Sequence, residues 1–140
     1  MIDFHTHTIF SDGELIPSEL VRRAWVKGYE AIALTDHVDS SNIDFVLPRI
    51  VKAAAHLNRY WDIKVLPGVE ISHVPLEEMG RLVKYARDNG AKIVVAHGET
   101  IIEPVIPGTN RMAIKCKVDI LAHPGHLRKD DAVVAAQKGV

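Results

Sequence analysis

The sequence predicts an α/β fold in which a parallel sheet, covered by helices, curls into an open or incomplete (βα) barrel. Three observations carry that expectation. Apolar runs at 1–4, 31–34, 64–69, 92–96 and 119–122 alternate with longer segments of helical periodicity. The runs are continuous rather than alternating, as in strands buried on both faces of a parallel sheet. Five strands are too few to close such a barrel, and the chain stops at Gly139-Val140, where a sixth would begin.

Met1 to Phe4 forms the first run, and Pro17-Ser18-Glu19-Leu20 opens a helix that Gly28 ends, with proline and glycine at their favoured ends. Ala31 to Leu34 is a short buried strand. A second helix covers Asp44 to about Tyr60, its regular start delayed by Pro48. Lys64 to Val69 is the third strand. Pro75-Leu76-Glu77-Glu78 begins a helix whose Leu76, Met79, Leu82, Val83 and Ala86 fall on one face before Gly90. Lys92 to Ala96 follows, then a polar, proline-containing loop from Gly98 to Gly108 and a helix from about Asn110 to Lys117. Asp119 to Ala122 is the fifth strand, and Asp130 to Lys138 the last helix. No linker interrupts this order, so 1–140 is expected to be a single domain lacking its last strands.

Composition excludes several classes of function. Acids number 18 against 17 lysines and arginines, so no global field recruits nucleic acid or an anionic membrane. The single cysteine, Cys116, forbids an internal disulfide or a cysteine-based zinc framework and reads as a reduced structural thiol. No apolar run approaches the ~18 residues of a membrane span, and no signal-like stretch follows Met1, so the cytoplasm is the expected location. The one excess is histidine, 8 in 140 residues.

Those histidines are not scattered. His5 and His7 lie two apart at the end of the first strand, where alternate side chains share a face. Asp12 follows in Ser11-Asp12-Gly13. His37, Glu70, His97 and His123 then each end a later apolar run. The carboxyl rim of a parallel α/β barrel is where active sites are built, and imidazoles mixed with carboxylates suit divalent zinc, manganese or iron. Glu70, a strand-end carboxylate among histidines, suits a bridge between ions. Asp3, on the side of His5, is placed to orient a ligand. Arg111, at a helix start, and His73, in the loop before Pro75, are candidates for substrate contact. His56 reads as a surface or packing residue, and His126 has no assigned role.

As an ordered set, Asp3-Phe4-His5-Thr6-His7, Ser11-Asp12-Gly13, Thr35-Asp36-His37, Gly68-Val69-Glu70, Ala96-His97-Gly98-Glu99 and Ala122-His123-Pro124-Gly125 resemble the PHP (polymerase and histidinol phosphatase) family, most closely its stand-alone histidinol-phosphatase-like branch. The resemblance implies a distorted seven-stranded (βα) barrel with up to three metal ions. By that likeness His5 and His7 hold one ion with bridging Glu70, Asp12 and His37 a second, and His97 and His123 a third with Glu70. The family's late Asp-x-His motif is absent, which leaves the first two sites each short of one ligand.

The expected activity is hydrolysis of a phosphomonoester by a metal-activated hydroxide, with no covalent phosphoenzyme. Histidinol phosphate, other small phosphomonoesters, nucleotides and nucleic-acid ends are all open as substrates. An amidohydrolase-type barrel also opens with His-x-His, but its resemblance calls for a bridging lysine where Glu70 stands. A catalytically silent, truncated metal-binding module is the reading from a different class. An open sheet edge also predicts self-association.

Overall fold

The computed structural model describes residues 1–140. The elements run β1 (Ile2–Thr6), α1 (Pro17–Val26), β2 (Ala31–Leu34), β3 (His37–Val38), α2 (Ile43–Tyr60), β4 (Lys64–Ile71), α3 (Leu76–Asp88), β5 (Ile93–His97), α4 (Thr109–Cys116), β6 (Ile120–Ala122) and α5 (Lys129–Lys138). The strands pair in parallel in the order β1-β2-β4-β5-β6, which is chain order and curls as a half-barrel.

Burial explains the order. All four residues of β2 are buried, as are Val65 and Val69 in β4 and Val94 and Val95 in β5. Helix α2 covers the sheet through Val46, Leu47, Ile50, Ala54 and Leu57, spaced along one stripe. Helix α3 does the same through Met79, Leu82, Val83 and Ala86. Each such aliphatic side chain contributes about 1.5–3 kcal/mol by leaving water, so these two helices and the strands they cover form one continuous core.

Two features differ from the sequence expectation. Pro48 does not delay α2; the helix begins at Ile43 with Pro48 inside it. The ring removes one amide donor, and the affected carbonyl belongs to Asp44, on an exposed turn where water can serve it. The second is β3, a two-residue strand that no periodicity could reveal. It pairs with the carboxyl half of β4, His37 opposite Glu70 and Val38 opposite Ile71, while β2 occupies the amino half. That hand-over puts His37 beside Glu70.

At the other side of the sheet, β1 pairs only with β2, and Ile2 and Phe4 are 55% and 39% exposed. No helix is long and apolar enough to cross a membrane.

Candidate metal centre

All strands but β2 carry a histidine or glutamate to one end of the sheet, within the strand or just after it. Glu70, the penultimate residue of β4, is fully buried. Its Oε2 lies 2.8 Å from His5 Nε2, 2.9 Å from His7 Nε2 and 3.3 Å from His37 Nδ1. Its Oε1 lies 3.2 Å from His97 Nδ1 and 3.8 Å from His123 Nε2. Asp12 closes the open side, 2.7 Å from His7 Nδ1 and 3.7 Å from His37 Nε2. All seven residues read from the sequence as ligands therefore meet.

Buried hydrogen bonds hold the loops that carry them. Asp36, itself fully buried, accepts the Thr8 backbone N–H at 2.7 Å and the Thr8 and Ser11 hydroxyls at 3.0 Å, which ties down the segment between His7 and Asp12. In the same loop a Cβ on Gly13 would fall onto the His7 carbonyl, so only glycine lets the chain fold back there. Ser72 Oγ stands 2.5 Å from His37 Nδ1 and donates to the Glu70 carbonyl, fixing that ring. Buried Asn110 accepts the Glu99 N–H at 2.9 Å and donates to the Pro124 carbonyl at 2.8 Å, linking the His97 loop to the His123 loop. A Cβ on Gly98 would strike the Ala122 carbonyl between those same loops.

The other sequence candidates fall as follows. Asp3 accepts the backbone N–H of His5 at 3.1 Å, so it fixes the strand and not the ring. Arg111 is held by Asp131 at 2.9 Å and lines a cleft of about 280 Å³ with Glu99, His126 and Arg128. His56 packs on Tyr60, with ring centroids 5.0 Å apart. His73 joins the margin of the cluster, 3.1 Å from Glu103. Sequence reasoning passed over Glu103, Asp36, Ser72 and Asn110. Asp36 carried a signal, an acid directly following the buried run 31–34 and its Thr35; Glu103, in an irregular loop, carried none.

The donor set fits divalent cations. Three groups around the shared carboxylate, His5-His7-Glu70, His7-Asp12-His37 and His37-Glu70-His97, each bring donor atoms within 4.8 Å of one another. Imidazole nitrogen with carboxylate oxygen is the chemistry of zinc, manganese and iron sites. One buried nitrogen, His97 Nε2, has no hydrogen-bond partner in the protein, as expected of a group that serves an ion.

A family model described as the PHP domain matches residues 3–106, from Asp3 through His97 and Glu103. The chain belongs to the PHP domain family. An uncharacterized protein of Methanocaldococcus jannaschii is 54% identical over 132 residues, covering 93% of this chain and 61% of that protein. The 5′-3′ exoribonuclease of Haemophilus influenzae is 39% identical over 70 residues, half of this chain and 23% of its own length. A second 5′-3′ exoribonuclease, from Salmonella typhimurium, is 39% identical over 72 residues, 51% of this chain and 22% of its own. The chain thus spans about three fifths of the archaeal relative and less than a quarter of the exoribonucleases.

Charge in this PHP domain is arranged for cation capture. Burial opposes ionisation of Glu70, but hydrogen bonds from His5 and His7 and the charge of His5 and His37 outweigh it and hold the carboxyl far below the usual range. His7 is the counterpart: burial opposes its charged form, yet Glu70 and Asp12 raise its pKa to about 9. Burial lowers the pKa values of His37 and His123, leaving both neutral at pH 7 with lone pairs to offer. A cation must therefore displace the His7 proton. Its affinity is expected to rise about tenfold per pH unit between about 6.5 and 9 and to level off above. Calorimetric titration in HEPES and in Tris at pH 7 should show about one proton released as the site that uses His7 fills; buffer-independent heats would contradict this. In the metal-free protein the sign reverses. The raised pKa of His7 stabilises the fold below about 6.5, and that contribution is lost as pH rises through about 9.

Proposed function

We propose that this PHP domain hydrolyses phosphate esters, with His5, His7, Asp12, His37, Glu70, His97 and His123 holding two or three divalent ions of the zinc, manganese or iron type. The observation that carries the reading is one buried carboxylate, Glu70, within 3.8 Å of five imidazoles. Ions so held supply Lewis acidity, lowering the pKa of water toward neutrality and countering charge on phosphoryl oxygens.

The protein's own groups do the rest. Glu70, kept anionic by its neighbours, needs no deprotonation before it binds. His37 and His123 arrive neutral, and Asp36, Ser72 and Asn110 keep the rings from swinging out of register. His123, 46% exposed, stands at the open edge of the cluster where a phosphate would approach. The substrate is proposed to be a small phosphomonoester of the histidinol-phosphate kind. A second reading, removal of nucleotides from an RNA 5′ end, rests on the exoribonuclease relatives; the near-zero net charge gives it little help along a polyanion.

Turnover of p-nitrophenyl phosphate and of a 5′-phosphorylated oligoribonucleotide, before and after chelation, tests this. Chelation is expected to abolish hydrolysis and Mn²⁺ or Zn²⁺ to restore it. Full activity after exhaustive chelation would refute the metal reading, and turnover of the oligonucleotide alone would replace the first substrate by the second. We also propose that copies of the chain associate along the free side of β1, where Ile2 and Phe4 are exposed; a monodisperse monomer in light scattering would contradict it. Location in the cytoplasm is a proposal as well, in keeping with the single free thiol of Cys116.

A further inference from the structure

The central cluster leaves one donor unused. His97 is 4% exposed, and its Nε2 is buried without a hydrogen-bond partner. The other ring nitrogen, Nδ1, lies 3.2 Å from Glu70 Oε1. As the donor in that contact Nδ1 carries the proton, and a lone pair remains on Nε2, the arrangement by which a carboxylate orients a metal-binding imidazole. That lone pair faces Glu103, whose Oε2 is 3.1 Å away. The same oxygen is 3.1 Å from His73 Nε2, and the three donor atoms all lie within 4.8 Å of one another. His73 holds a φ of 54°, a left-handed conformation unusual for a residue with a side chain.

We infer that His73, His97 and Glu103 form a further divalent-metal site beside the Glu70 cluster, binding zinc through two imidazoles and a carboxylate with a position open to water or substrate. Donors around a tetrahedral zinc at about 2.0–2.2 Å sit about 3.4 Å apart, so the observed spacings need only small adjustment. An ordinary ion pair between His73 and Glu103 accounts for less. Their side chains are 44% and 40% exposed, where such a pair contributes little, and the 3.1 Å approach of Glu103 to His97 Nε2 makes no hydrogen bond to that buried nitrogen. Exposure of both outer ligands also gives an ion a path from solvent. The inference rests on the proposed central reading and shares His97 with it: the ring has one lone pair, so with this site filled His97 serves the central set only through its Nδ1–H contact with Glu70.

Equilibrium dialysis against Zn²⁺, read by atomic absorption, tests it together with visible spectra of the Co²⁺-loaded protein. His73→Gln and Glu103→Gln change exposed side chains, so the fold should survive, as circular dichroism will show. Each variant is expected to bind one ion fewer than the unaltered chain, or to hold it at least about tenfold more weakly, the smallest loss typical when even an outer partner of a ligand is removed. The Co²⁺ spectrum should lose the matching component. Asp12→Asn, which weakens the central set, should leave this ion in place. Unchanged stoichiometry and affinity in both outer variants would overturn the inference while the central reading stands. Failure of the unaltered chain to bind any zinc would overturn both.

Discussion

Glu70→Gln is expected to lower phosphoester turnover by on the order of 10³-fold or more, since removing a single donor to a charged transition state already costs 10²–10³. The substitution preserves shape and removes the one charge that five imidazoles share. It should also strip the bound ions, so the loss appears in kcat and in metal content together. An independent mark is the titration of His7. Its pKa of about 9 depends on Glu70 and Asp12 acting against burial; with Gln at position 70 it should fall by more than a unit, measured by NMR of the imidazole C–H. A variant that kept its metal and its rate would mean that Glu70 is only a buried counter-charge.

Asp36→Ala is expected to be the most damaging change outside the ligands themselves. Its carboxylate is fully buried and accepts the Thr8 N–H and two hydroxyls. Removing it forfeits charge-assisted hydrogen bonds and strands a buried amide, a loss of roughly 3 kcal/mol. For a chain of 140 residues that lowers the thermal midpoint of the metal-free protein by roughly 10 °C. Because the freed loop carries His7 and Asp12, metal affinity should fall as well, although Asp36 touches neither ring. Asn at this position keeps part of the acceptor capacity and should recover part of both losses. A midpoint shifted by no more than 1–2 °C would show that the loop is held by something else.

Much of this was legible in the sequence because the fold repeats one simple unit. Continuous apolar runs at 31–34 and 92–96 could be little else than buried parallel strands, and the residue after each run marks the rim. Glu70, His97 and His123 directly follow such runs and His37 comes three residues after Leu34, so position and the ordered motifs together mark them as candidates. What escaped was whatever lacks periodicity. Strand β3 is two residues long and exists only because β4 is long enough to pair with two successive partners. Pro48 is tolerated inside α2 because the carbonyl it orphans faces water, a fact about burial that local propensity does not carry. Asn110 and Glu103 act across 14 and 30 residues of chain, on Pro124 and His73 respectively. Such contacts depend on how loops cross and leave no mark in composition.

The most direct measurement is anomalous diffraction from crystals grown with Mn²⁺ or Zn²⁺, collected at the metal's absorption edge. Peaks are expected about 2.0–2.3 Å from the Glu70 carboxylate oxygens, with His5 and His7 on one ion. A well-ordered map with no peak touching Glu70 would contradict the account.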